Sequence, residues 1–148
     1  MMNMPPGGRL SIMKISVVYG VSLLCVLVLV GCATYTRQKQ QERFEDITKA
    51  YGDAIRWGKY EVANGFRGMK GREEKKPDFE YLKNIKVTSY ELKAVNISGD
   101  GNAVQQDVEI EYYKIDQFIE RTITDSQLWK YDEEEGRWLL DSELPDFK

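Results

Sequence analysis

The 148-residue chain contains no histidine. Histidine is the side chain whose pKa lies nearest neutrality, and it is the commonest nitrogen ligand for metals. Its absence counts against histidine-dependent acid–base catalysis and against a histidine-bound metal. Cysteine is scarce as well, since the chain has only Cys25 and Cys32. Cys25 lies inside a hydrophobic run, and removal of that run leaves one cysteine, which excludes an intramolecular disulfide.

Long uncharged runs are also few, and the clearest is near the N-terminus. Ile15–Val30 is a stretch of 16 residues without a charged side chain, and it follows Arg9 and Lys14. A basic flank before an apolar core is the pattern of a secretory signal. The run is short for a membrane span, which needs about 20 apolar residues. We predict that residues 1–31 are a signal peptide, with Met13 as an alternative start.

The end of this run, Leu29-Val30-Gly31-Cys32, resembles the bacterial lipobox. The resemblance implies that the small residues admit the backbone to a signal peptidase and that the Cys32 thiol receives the lipid. Two or more acyl chains, such as palmitate, anchor a protein stably to a membrane. Ala33 is not the aspartate of inner-membrane retention, so we expect an envelope protein on the outer membrane, facing the periplasm. The alternative is an uncleaved anchor, in which Cys32 is simply a small apolar residue.

The mature chain is acidic. Only two of the 21 basic residues precede Cys32, so 19 basic and 24 acidic residues remain after it. This balance gives no electrostatic reason to bind nucleic acid. The acidic cluster Asp132–Glu135 fits a solvated hairpin tip better than a metal site. We predict no cofactor and no metal.

Residues 32–41 have little apolar content after the cysteine and are predicted to be the lipidated residue and a tether. Residues 42–148 are predicted to form one domain, beginning with helices. An apolar stripe at helical spacing starts the domain, and Gly58 is expected to end this first helix. The stripe consists of Phe44, Ile47, Tyr51, Ala54 and Ile55.

From Ile85 onward the chain is rich in β-branched and aromatic residues, which is typical of strands. The apolar phase shifts along the first strand, which predicts a bulge near Ser89. Turn signals at 98–102 and 132–136 separate later strands. The fold class is therefore predicted to be α+β, with helices packed on one curved antiparallel sheet of about four strands. We expect large side chains to fill most of the space between helix and sheet.

Two segments resemble the nuclear-transport-factor-2-like superfamily, a cone-shaped relative of cystatin-like folds. They are AIRWGKYEVANGF at 54–66 and DSQLWKYDEEEGRWLLDSEL at 125–144. The resemblance implies an apolar pocket between helix and sheet. Some members of the superfamily are isomerases, dehydratases or polyketide cyclases that use an acid–base pair, often Asp with His or Tyr.

Since histidine is absent, the candidates for such a pair are carboxylates and tyrosines. The catalytic candidates are Asp53, Tyr90 and Asp125. The candidates for lining a pocket are Tyr51, Trp57, Tyr112 and Trp129. The ordinary explanation of the same residues is that the carboxylates are solvated and that the aromatic side chains fill the core.

The sequence thus favours a lipid-anchored, non-enzymatic envelope protein that binds an unknown protein partner or a small apolar ligand. One alternative is a membrane-tethered enzyme of the polyketide-cyclase type. Another is a scaffold subunit of an envelope secretion complex, kept on an uncleaved helix.

Overall fold

The computed structural model describes residues 37–68 and 76–148. The chain divides between Gln40 and Gln41 into two units, Met1–Gln40 and Gln41–Lys148. Helices are followed by a four-stranded antiparallel sheet whose strands pair in the order in which they occur in the chain. The predicted α+β class is confirmed.

The first helix, α1, covers residues 37–56 within the described part of the chain. It ends where predicted, because Gly58 adopts a φ of 65°, a left-handed conformation that glycine accepts without strain. Two short helices follow, α2 at Tyr60–Asn64 and α3 at Phe79–Leu82. The Asp78 carboxylate caps α3 by accepting a hydrogen bond from the backbone of its first turn.

The predicted signal peptide at 1–31 and Cys32 lie outside the described residues. The predicted tether at 32–41 lies partly inside them, and residues 37–41 are helical. The apolar stripe that suggested a helix starts only at Phe44, so the sequence pattern gave no reason to begin the helix earlier. In the described ranges, no helix is both long and apolar enough to cross a membrane.

The four strands are β1 at Ile85–Ile97, β2 at Ala103–Lys114, β3 at Glu120–Asp132 and β4 at Arg137–Leu140. Alternate residues of β2, starting at Val104, are buried. We call the face of the sheet that carries them the inner face.

Two bulges in β1 keep its large apolar residues on the inner face. The register shifts between Val87 and Ser89, as predicted, and again between Leu92 and Ala94, which was not predicted. Each shift adds one residue and therefore reverses the alternation of side chains. As a result Tyr90 and Leu92 point inward after the first bulge. After the second bulge the inward residues are Val95 and Ile97, which pair with inner-face residues of β2.

The core forms where the stripe of α1 meets the inner face. Phe44 and Ile47 are partly buried and pack against this core. Five large side chains from α1, β2 and β3 are completely inaccessible to solvent, so most of the interior is filled. They are Tyr51, Ile55, Val108, Ile110 and Trp129. The Tyr51 and Trp129 rings meet edge to face, with centroids 5.4 Å apart.

The β1–β2 and β3–β4 turns lie at one end of the sheet, and the β2–β3 loop lies at the other. Arg43 Nη1 donates to the Gly136 carbonyl at 2.9 Å, so α1 lies beside the β3–β4 turn at this point. Asn102 Nδ2 donates to Glu133 Oε1 at 3.2 Å and joins the β1–β2 turn to the same end. We call this end the turn end. The β2–β3 loop, residues 115–119, lies at the opposite end of both strands.

Candidate functional site

A buried glutamine organises a polar network on the inner face. Gln127 Nε2 donates to Asp125 Oδ2 at 2.7 Å and to the Tyr90 hydroxyl at 2.9 Å. Gln127 Oε1 accepts from Gln106 Nε2 at 2.7 Å and from Trp129 Nε1 at 3.3 Å. Both ends of the amide are therefore satisfied, as a buried polar side chain requires. We call these five residues the Gln127 network.

Strand register and one glycine assemble this network. Gln106 lies opposite Gln127 in the β2–β3 pair, and Asp125 is the next inner-face residue of β3. The Tyr90 ring reaches the network by lying against α1 at Gly52. A Cβ atom at position 52 would stand 2.9 Å from this ring, closer than side chains normally approach. The Tyr90 ring can therefore occupy this position because residue 52 has no side chain.

Burial alters the protonation of the carboxylate in this network. Desolvation raises the pKa of Asp125 to about 6, and the hydrogen bond from Gln127 only partly opposes this effect. Asp125 is the one carboxylate on the inner face of the three long strands. Its charge therefore changes in a pH range where most aspartates stay ionised.

Tyr51 stands close to this carboxylate from the helix side. Burial raises the pKa of the Tyr51 hydroxyl, and the nearby charges of Asp125 and Tyr90 raise it further. Burial also raises the pKa of Tyr90. The Tyr51 hydroxyl is buried without a hydrogen-bond partner among the described residues. The site thus combines a weakly acidic carboxyl group with the buried phenol of Tyr51 and the partly buried phenol of Tyr90, a set that can bind or move a proton.

The structure brings together four of the seven candidates named from the sequence. Tyr90 and Asp125, proposed as catalytic residues, lie in one network with Trp129, and Tyr51 adjoins them. Gln127 was not among the residues named from the sequence, although it occupies an inward position of β3 between Asp125 and Trp129.

The other three candidates lie elsewhere. Asp53 is exposed, because it is two residues from the buried Tyr51 and so faces away from the sheet. Trp57 was expected to line a pocket, but it is 74% exposed at the end of α1. Tyr112 is buried and its hydroxyl donates to the Lys148 carbonyl at 2.8 Å, so it belongs to the core beside the C-terminal segment.

An open cleft of about 230 Å³ lies between α1 and the first two strands. Tyr90 and Gln106 belong both to its lining and to the Gln127 network. The remaining lining residues are Glu45, Thr48, Lys49, Leu92 and Val108. A larger cavity of about 370 Å³, between α3 and the C-terminal residues, is lined by charged groups of both signs, such as Arg67 and Asp146.

The cleft continues into an exposed apolar row on β1, which we call the β1 strip. It consists of Leu92, Val95 and Ile97, which are 55%, 44% and 62% exposed. All three are on the inner face, where a strand normally buries its apolar side chains. Contiguous exposed apolar residues of this kind mark interaction sites more often than scattered ones do.

A second exposed apolar group lies in the β2–β3 loop. Ile115, Phe118 and Ile119 are exposed, and Phe118 has a φ of 53°, which is uncommon for an aromatic residue. The Phe118 ring stacks on Tyr113 with centroids 5.9 Å apart. This loop group is at the far end of the sheet from the β1–β2 turn and is separate from the cleft.

The described ranges contain no cluster of three or more Cys, Asp or Glu side chains that could hold a metal ion. The arrangement therefore offers two kinds of chemistry, proton binding in the Gln127 network and apolar contact along the β1 strip.

Comparison of the chain with protein-family models, with curated proteins and with solved structures finds no match.

Proposed function

We propose that this chain is a lipid-anchored protein of the bacterial envelope whose α+β domain is a binding module and not an enzyme. The anchor is the lipidated Cys32, the location is the outer membrane facing the periplasm, and the domain is of the nuclear-transport-factor-2-like type. The lipobox resemblance supports the anchor, and the order of helices and strands is compatible with the domain type.

The exposure of the β1 strip is the observation that carries the binding role. The interior beneath α1 is occupied by side chains that solvent does not reach, such as Tyr51 and Trp129. An interior filled in this way leaves little room for a ligand. The strip and the adjoining cleft, in contrast, present apolar surface that the described chain does not cover. Binding is therefore assigned to the edge of the inner face and not to its centre.

A pair of neighbouring substitutions tests this assignment. Val95→Glu places a charge in the strip, whereas Ala94→Glu places the same charge on the opposite face of the same strand. Both positions are exposed, so both variants should fold with the same melting temperature as the wild type. We expect Val95→Glu to weaken binding of the apolar dye anilinonaphthalene sulfonate at least tenfold and Ala94→Glu to leave it within twofold. Equal dye binding by the two variants would reject the strip as a binding surface.

A second candidate function, a membrane-tethered enzyme of the polyketide-cyclase type, is favoured by the environment of Asp125. A carboxyl group with a pKa near 6 beside the buried Tyr51 and the partly buried Tyr90 has the acidity of a general base. Such a base would catalyse exchange of the protons next to the carbonyl group of a small apolar ketone in deuterated water. If the wild-type protein catalyses this exchange and Asp125→Asn abolishes it, the enzyme hypothesis is favoured. If exchange is equally slow with both proteins, the enzyme hypothesis is rejected.

A further inference from the structure

The β1 strip forms a continuous track with the cleft. Leu92 belongs to both, so the apolar surface runs from Ile97 through Val95 to Leu92 and ends against Tyr90 and Val108. At the usual rise per residue of a strand, the part from Ile97 to Leu92 is roughly 15 Å long. The second bulge makes this track possible, because without the added residue Val95 and Ile97 would face the other side of the sheet.

The track is only one side chain wide. On one side the neighbouring inner-face residues of β2, Val104, Gln106 and Val108, are buried. On the other side β1 is the edge strand of the sheet. Three partly exposed side chains offer on the order of a few hundred Å² of apolar surface. A stable protein–protein interface needs about 800 Å² on each partner. The dimensions therefore suit a narrow, flexible apolar chain better than a folded protein.

The track opens at the end of the sheet that the anchor can reach. Ile97 is the last residue of β1, directly before the β1–β2 turn, which is at the turn end. Arg43 of α1 contacts the same end, and Cys32 precedes it by only 11 residues. Even a fully extended chain of that length spans at most roughly 40 Å. A lipid on Cys32 would thus keep the turn end, and with it the open end of the track, within that distance of the membrane.

We infer that the β1 strip and the cleft bind one acyl chain of a membrane lipid, which enters at Ile97 and runs along Val95 and Leu92 into the cleft. This inference rests on the proposed binding role of the strip and on the anchor at Cys32. The source of the acyl chain is a lipid of the surrounding bilayer and not the protein's own anchor.

Photo-crosslinking of the full-length protein in its own membrane tests the inference. The crosslinking amino acid p-benzoylphenylalanine inserts into nearby C–H bonds on illumination, and mass spectrometry identifies what it has captured. It is placed at Val95 in the strip, at Ala94 on the opposite face, and at Phe118 in the distant loop. All three side chains are exposed, so the substitutions do not disturb the core. We expect an adduct of lipid mass at position 95, at least tenfold above positions 94 and 118.

Each other outcome overturns a different part of the inference. A protein adduct at position 95, absent at 94, keeps the binding role of the strip but rejects the acyl chain as its occupant. An adduct between position 95 and the lipid on the protein's own N-terminus rejects the bilayer as the source. Equal lipid adducts at positions 95, 94 and 118, or no adduct at 95, reject both the acyl-chain site and the binding role of the strip.

Discussion

The Trp129 indole nitrogen donates a hydrogen bond to Gln127 Oε1, and this contact fixes which way the buried amide faces. An indole N–H can only donate, so the oxygen of the amide must point toward Trp129. The amide nitrogen is then left for Asp125 and Tyr90. Trp129 thus orients the amide that donates to the carboxyl group and the phenol, while its own N–H is bonded to Gln127.

Replacement of Gln127 by leucine should destabilise the protein by about 2–4 kcal/mol, because it leaves several buried polar groups without a partner. Urea unfolding measures this loss. The matched control is Gln105→Leu, on the exposed outer face of β2, which should change stability by less than about 0.5 kcal/mol. A similarly small loss for Gln127→Leu would show that the network contributes little to the folded state.

The raised pKa of Asp125 predicts a specific dependence of stability on pH. The folded protein holds this proton more tightly than the unfolded chain, whose aspartates titrate near pH 4. The stabilisation is therefore complete below about pH 4 and is lost as the pH rises through 6. With its partial exposure taken into account, the loss is about 2 kcal/mol.

Asp125→Asn should remove this loss, so that the variant is more stable than the wild type at pH 7.5 and similar to it at pH 4. Thermal or urea unfolding at the two pH values gives the comparison. Asp116→Asn, an exposed change in the β2–β3 loop, serves as the control and should behave like the wild type at both. If Asp125→Asn and the wild type differ in stability by the same amount at both pH values, the raised pKa of Asp125 is contradicted.

Gly52→Ala should destabilise the protein, although alanine is normally the better helix residue by about 1 kcal/mol. The added methyl group meets the Tyr90 ring, whose hydroxyl is tied to Gln127, and we expect a net loss of about 1–2 kcal/mol. A double-mutant cycle isolates the cause. In a Tyr90→Ala background the same Gly52→Ala change should become neutral or stabilising. Identical effects in both backgrounds would mean that the two residues do not interfere.

If the proposed lipidation is correct, Cys32→Ser should yield a protein that carries no acyl chain and keeps its signal peptide, because the substitution removes the thiol proposed to take the lipid. Mass spectrometry of the N-terminus distinguishes the processed form from the unprocessed one. An intact Ile15–Val30 segment in the wild-type protein would instead support the alternative of a scaffold subunit held on an uncleaved helix.

The helix stripe and the strands could be predicted because they depend on local periodicity. The stripe from Phe44 to Ile55 and the change of apolar phase near Ser89 are both readable in the sequence. The second bulge could not be recognised in the same way. Ala94 is apolar and follows Leu92 by two residues, so alternation alone places it inward, whereas the structure places it on the outer face.

The Gln127 network was hidden for a different reason. Glutamine is usually exposed, and only the register between β2 and β3 shows that Gln106 and Gln127 face each other in the interior. The C-terminal segment was missed as well, because it has no periodicity. Its Phe147 ring nevertheless packs against Tyr60 and Tyr112 in the core. Contacts between residues distant in sequence decide both features.

The two bulges of β1 also determine where this strand can change length. Thr88 and Lys93 are the residues without an opposite partner in β2, since the register passes from Val87 directly to Ser89 and from Leu92 directly to Ala94. Loss of either residue would restore regular pairing and leave every other side chain on its present face. A deletion between them would turn Tyr90 or Leu92 outward. Chains that descend from the same ancestor and lack one residue here are therefore expected to lack the counterpart of Thr88 or Lys93.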